Sequence, residues 1–361
     1  ASRGPRGTGR AGPVEPGPPP IDNPRRSDAR EPLSPSLKLL AVGLVLGVTL
    51  VAFETTAVIT ALPTITDELG GDSLYGVALA AYTLANMLSL VAAGRFAHRK
   101  GPMPTFLTAV ITFSLGLVVA ALAPNMVVVV LGRTLQGAGA GGFSPISYQL
   151  VKRAYPESRQ ATMYVWLSAG WVMPSLIGPA FGGLVTDHLG WRWVFASIIP
   201  MALAVAVVTS SQMRRFGPSA PTDDPAILAE DRRRMLTAGA AALGVAFVVV
   251  GIRSASWIAV VASLGVGGVL AVKMLGRLLP AGVARARAGE PAVLACRFLA
   301  TATFMGVDGF IPLAADRIHG VSPMAQGFTI IGAALTWTAG QAVIAKRQDI
   351  STRTAVRIGF G

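Results

Sequence analysis

Charge and sulfur are what this chain has least of. Only 14% of its 361 residues are charged, against about 25% in an ordinary soluble domain, and the mean hydropathy is +0.57. That balance belongs to an integral membrane protein. Cys296 is the single cysteine, which excludes an intrachain disulfide and gives no information on redox compartment. His98, His188 and His319 are the three histidines, so a structural zinc site lacks its ligands. Those histidines show no Ser-His-Asp or metal-ligand spacing, so neither a cofactor nor an enzyme is expected. Acidic residues are also scarce, 18 against 31 Lys and Arg, for a net charge of +13. Such an excess would suit nucleic acid if it were gathered on one face; its distribution gives it another meaning.

What the chain does have is apolar runs. Residues 1–37 are mostly Gly, Pro and Arg and cannot bury enough surface to fold, so a disordered cytoplasmic tail is expected. It is not a signal peptide, because no apolar core precedes Leu39. From there on, segments near the ~20 residues needed to span a bilayer recur. Ten are placed, at 39–63, 75–94, 103–123, 126–150, 161–186, 193–212, 235–252, 254–272, 291–315 and 323–345. With these spans, 26 Lys and Arg fall in the tail and the loops on its side. Three (Arg192, Arg253, Arg317) fall opposite and two (Arg133, Arg297) within spans. That asymmetry follows the positive-inside rule. It predicts a multi-pass protein of the cell membrane with a cytoplasmic N-terminus, and it removes any need for a nucleic-acid partner. The expected division is a tail (1–37), a six-helix bundle (38–212), cytoplasmic linkers with an inserted helix pair (213–290) and the opening of a second bundle (291–361). Because that second bundle is short, the chain is read as a fragment of a longer protein, truncated after about ten helices.

The segment Val127 to Pro145, VVVVLGRTLQGAGAGGFSP, places one arginine, Arg133, and one amide, Gln136, inside an apolar run. A charge at the bilayer centre costs roughly 2.5 to 17 kcal/mol and persists only with a partner or a polar interior. The glycines that follow allow another helix to approach closely. They do not form a phosphate loop, since the lysine is missing and the stretch lies within a span. The other charges placed in spans near this depth are Glu54 and Asp308; counting at ~1.5 Å per residue sets all three about 10–15 Å below the outer surface. The functional reading is a proton or substrate site, with Glu54 taking and releasing a proton, Arg133 biasing it and Asp308 as its rival. The competing reading is a fixed ion pair that only holds helices together.

Six stretches together resemble the major facilitator superfamily, most closely its fourteen-helix drug:proton antiporter branch. FETTAVITALP, Phe53 to Pro63, resembles the first-helix motif of that branch, with Glu54 in place of Asp. GRFAHRKG, Gly94 to Gly101, resembles the loop motif between helices two and three. LGRTLQGAGAGG matches the fourth-helix motif through Gly132, Arg133, Gln136 and Gly137. IGPAFGG, Ile177 to Gly183, matches the end of the fifth-helix antiporter motif, although Pro174 stands where a Gly is usual. WRWVFASIIP, Trp191 to Pro200, resembles the start of the sixth helix. GFIPLAADRIHGVSPMAQG, Gly309 to Gly327, resembles the start of the second half.

The resemblance implies an all-α fold of two pseudo-symmetric bundles around a central site. It also implies export of small amphipathic molecules against protons by alternating access. The alternatives are a metabolite or sugar carrier on the same fold, or a transport-inactive membrane sensor. In the family the fourth-helix Arg is associated with proton coupling and falls on Arg133; with the charges read above, the expected proton-coupling residues are Glu54, Arg133 and Asp308, and the expected substrate cavity includes Asn86 and Gln136. Gating falls on Gly94, Arg95, His98, Arg99, Gly178, Pro179, Gly182 and Gly183. One departure stands out: His98 replaces the acidic residue that helps latch the cytoplasmic gate in the family. The expected partners are a small-molecule substrate, protons and the lipid bilayer, with the protein acting as a monomer.

Overall fold

The computed structural model describes residues 33–218, 225–252, 254 and 256–346. Most of the expected tail, Asp223 and Asp224 of the long loop, Arg253 and the basic residues after Lys346 therefore lie outside the described residues. Among the described residues every regular element is helical. Nine segments among the described residues are long and apolar enough to cross a membrane; they correspond to the first nine predicted spans, and the tenth forms the helix Pro323–Lys346.

The first bundle is built from α1 (Pro35–Leu69), α2 (Tyr75–Lys100), α3 (Pro102–Ala121), α4 (Met126–Ala140), α5 (Phe143–Ala154), α6 (Glu157–Leu189) and α7 (Arg192–Met213). Helix starts are set locally. The Ser34 side chain accepts from the Leu37 amide ahead of Pro35, and Asn125 accepts from the Val128 amide at 3.1 Å, each satisfying one orphan donor. Leu62 of α1, Phe113 of α3, Phe143 of α5 and Ile198 of α7 belong to one buried apolar cluster. The Phe143 ring meets Phe106 and Phe113 edge-on at 5.4 and 6.0 Å. Ile111, Leu131 and Val207 point outward and are exposed, as a protein solvated by lipid permits.

The second part comprises α8 (Pro225–Gly251), α9 (Trp257–Ala262), α10 (Gly268–Leu278), α11 (Glu290–Asp308), α12 (Ile311–His319) and α13 (Pro323–Lys346). The helix α8 packs on α10 and also against α2, while α13 lies along α6.

Three spans expected as continuous helices are interrupted. The fourth breaks at Gly141 and Gly142 into α4 and α5. The eighth contains a π turn at Ser263–Gly267, where two glycines weaken regular propagation. The ninth breaks after Asp308 at Gly309 and Phe310. By contrast Pro174 and Pro179 lie inside α6 without ending it.

Candidate functional site: a buried charge cluster and a contact between the two parts

Glycines bring α4 close enough to its neighbours to bury a charge. A Cβ on Gly137 would collide with the Tyr82 carbonyl of α2, and one on Gly139 with the backbone of α3 at Ala109 and Phe113. Within this packing Glu54, Arg133 and Gln136 are 0%, 1% and 0% exposed. Arg133 Nη1 donates to the Glu54 carboxylate and to Gln136 Oε1 at 2.6 Å. Gln136 Nε2 in turn donates to the Gly116 carbonyl of α3 at 3.2 Å. The guanidinium lies 4.1 Å from the centre of the Tyr82 ring, which adds a cation–π contact. The hydroxyls of Tyr82 and Thr55 are 3.1 Å apart, and Thr55 also donates to the Val51 carbonyl at 2.9 Å. Arg133 Nε is buried with no hydrogen-bond partner among the described residues. Four helices thus converge on one carboxylate and one cation, and breaking such a pair leaves an uncompensated buried charge.

The other expected site residues fall in different places. Asn86 is half-buried one turn beyond Tyr82, and its backbone carbonyl is what Gly141 packs against. Asp308 does not join the cluster. It ends α11 next to Gly309, whose carbonyl accepts from the Tyr75 hydroxyl at 2.8 Å; Tyr75 opens α2, two turns before Tyr82. Among the described residues Asp308 has no ion pair. The similar depth expected for Asp308 and Glu54 does not lead to a shared contact: Asp308 lies at the end of α11, just before the ninth span breaks.

Gly94, Arg95, His98 and Arg99 occupy the last turns of α2, with His98 and Arg99 exposed. Arg95 Nε is 4.0 Å from Asp231 Oδ2 of α8, and Arg95, Arg99 and Met235 border a cavity of about 500 Å³ between α8 and the bundle. The α6 glycines form two faces. Gly178 and Gly182 approach α1, where a Cβ would strike the Thr56 hydroxyl and the Ala57 carbonyl. Gly183 approaches α13 at Pro323 and Met324, and Gly327 of α13 approaches the Pro179 carbonyl.

Sequence reasoning missed the polar side of this contact between the two parts. Arg317 of α12 pairs with Asp67 at the end of α1 and with Asp72, the latter at 2.7 Å. The Met324 amide donates to Asp187 at 3.1 Å. The signal that could have found it was Arg317 itself, one of only three basic residues assigned to the outer side.

Comparisons with known proteins agree with this architecture. A sequence profile of the Major Facilitator Superfamily matches residues 44–361. A probable multidrug-efflux transporter of Mycobacterium tuberculosis is 28% identical over 301 residues, covering 82% of this chain and 64% of the relative. Multidrug resistance protein 3 of Bacillus subtilis is 29% identical over 166 residues, covering 46% and 32%. The chain thus spans about a third to under two thirds of the length of these two curated relatives. A crystal structure of the peptide transporter POT in complex with sulfate aligns with a TM-score of 0.60 at 15% identity, covering 85% of this chain and 68% of that one. A human organic anion transporter aligns at 0.55 and 13%, covering 87% and 73%; at such identities the likeness is one of fold. With the profile spanning nearly the whole chain and the helices packed as described, this chain belongs to the major facilitator superfamily.

Proposed function

We propose that the full-length protein is a proton-coupled exporter of small amphipathic molecules, of the fourteen-helix antiporter branch. We place it in the cell membrane with a cytoplasmic N-terminus. The observation that carries this reading is the Glu54–Arg133 pair, fully buried in a membrane bundle and reached by Gln136, Tyr82 and Thr55. Charges retained inside a membrane default to function, and a carboxylate that exchanges a cation for a proton is a coupling element. Glu54 takes and releases the proton; Arg133 competes for the carboxylate; Gln136 holds Arg133 in place. Transport, not catalysis, is the activity assigned.

The contacts between the first bundle and the segments after residue 290 support an alternating-access reading. They gather at the end of α1 and α6 opposite the basic loops, at Asp67, Asp72, Asp187 and Gly183. In the proposed orientation this is a state closed on the outer side. The test is uptake of a panel of fluorescent cationic and neutral dyes into inverted vesicles bearing the full-length protein. Uptake that follows an imposed proton gradient and collapses with an uncoupler is expected. Uptake indifferent to the gradient would refute proton coupling, and no uptake of any dye would refute drug export.

A further inference from the structure

The inserted helix pair carries a basic notch at the end where α8 begins and α10 ends. A cavity of about 470 Å³ opens there, bordered by Arg232, Arg233 and Leu236 of α8 and by Met274 and Arg277 of α10. A smaller cavity of about 220 Å³ adjoins it and shares Arg233 and Arg277. Deeper in the membrane the pair closes. A Cβ on Gly244 would meet the Gly267 carbonyl and the Ala271 amide nitrogen, each at 2.7 Å, so the two helices touch beyond the notch. An apolar stripe continues from the notch along α8. Leu236, Ala240, Leu243 and Phe247 recur at helical spacing and share one side of the helix. Leu236, Leu243 and Phe247 are exposed.

The charges at the notch do not cancel. Asp231 turns toward the first bundle, 4.0 Å from Arg95 of α2. Glu230 is shared by Arg233 at 3.6 Å and Arg234 at 3.0 Å. Among the described residues Arg232 and Arg277 have no carboxylate partner; Arg277 Nη1 lies 3.9 Å from the Met274 sulfur. Both arginines are exposed. One guanidinium from each helix therefore borders a shared cavity with its donors available, and its planar fork matches phosphate oxygens. From Leu236 to Phe247 the stripe runs about 16 Å at the helical rise, one leaflet of a hydrocarbon core about 30 Å thick. A soluble anion would use the cations and leave the stripe bare. An amphiphile with a negative head uses both, and basic pockets between membrane helices recognise anionic headgroups in this manner.

We propose that the inserted pair holds an anionic phospholipid, with its phosphate between Arg232 and Arg277 and an acyl chain along Leu236, Leu243 and Phe247. The leaflet is the one at the N-terminal end of α8, the inner leaflet in the orientation proposed above. A zwitterionic head brings its own cation beside the phosphate, so the two arginines favour a head of net negative charge. The site lies on helices outside the first bundle, apart from Glu54 and Arg133. Binding there requires a bilayer and the two helices, and it does not require transport.

The test releases the full-length protein from nanodiscs of mixed phosphatidylglycerol and phosphatidylcholine and reads the retained lipid by native mass spectrometry. Phosphatidylglycerol should be enriched several-fold over its bulk ratio. The double variant Arg232→Gln/Arg277→Gln should lose most of that enrichment. A control, Arg285→Gln/Arg287→Gln, removes the same charge from the following linker, away from both cavities, and should keep it. Retention in the bulk ratio by the wild type overturns the proposal. So does enrichment that the notch variant leaves unchanged, or that the two double variants lower equally. Position is read separately with Leu243→Trp, because brominated acyl chains quench a nearby indole. The signal is the difference between this variant and the wild type. Quenching should reach half its maximum at a several-fold lower mole fraction of brominated phosphatidylglycerol than of brominated phosphatidylcholine, and coincident curves overturn the proposal. Bound lipid is read directly, so a protein that fails the dye assay still reports whether the notch selects an anionic head.

Discussion

Arg133 divides its guanidinium between Glu54, Gln136 and the face of Tyr82, and this division sets what substitution does. Glu54→Gln removes the charge and keeps a polar side chain beside Arg133. The variant is expected to fold and bind substrate but to release no proton when substrate binds. Asp308→Asn, away from the cluster, is expected to retain release. A pH-indicator measurement on detergent-solubilised full-length protein separates the two, and the opposite pattern would move the coupling role to Asp308. The Glu54–Arg133 pair was legible in the sequence as one possibility, because charges within spans are few and these two share a depth, but the same count left Asp308 as a rival. The distance of Asp308 from that pair was not legible. Depth counted along a straight helix ignores the break at Gly309 and Phe310, which depends on packing against Tyr75 and Leu79 of α2.

Between elements, glycine positions carry the packing, and they are not equivalent. At Gly182 any side chain meets the Ala57 backbone carbonyl, while at Gly94 a Cβ would meet nothing within 4 Å among the described residues. Gly182→Leu should therefore push α1 and α6 apart and lower stability by about 1–3 kcal/mol, the usual overpacking range. Gly94→Ala should leave stability within about 0.5 kcal/mol, as for substitutions away from packed features. Thermal unfolding of the two purified variants checks both; equal melting temperatures would remove the distinction. Span positions were readable from hydropathy because length and apolarity are sufficient criteria. Helix breaks and neighbours were not, since Gly141, Gly142 and the π turn at Ser263–Gly267 reflect which helix lies opposite. The placement of α8 against α2 through Arg95, Asp231 and Met235 has no signature in either segment alone.

For the molecule as a whole, ion pairs join the first bundle to the segments after residue 290 at Arg317 with Asp67 and Asp72, on the side where the sequence places few basic residues. Cysteines substituted singly at Ser73 and Ser322 of a cysteine-free Cys296→Ser background should react with a membrane-impermeant maleimide added to intact cells. One at Glu157 should react only after permeabilisation, and the reverse pattern would invert the proposed topology. The buried pair also has a history in time. Glu54 and Arg133 are 79 residues apart in the chain, so at a synthesis rate of about 5–20 residues per second Glu54 leaves the ribosome some 4–16 s before its partner. During that interval α1 holds an unmatched carboxylate and has no reason to enter lipid in its charged form. Until the fourth helix is made, the first can enter lipid only by taking a proton on Glu54 or by bearing the cost of a charge that lacks its partner.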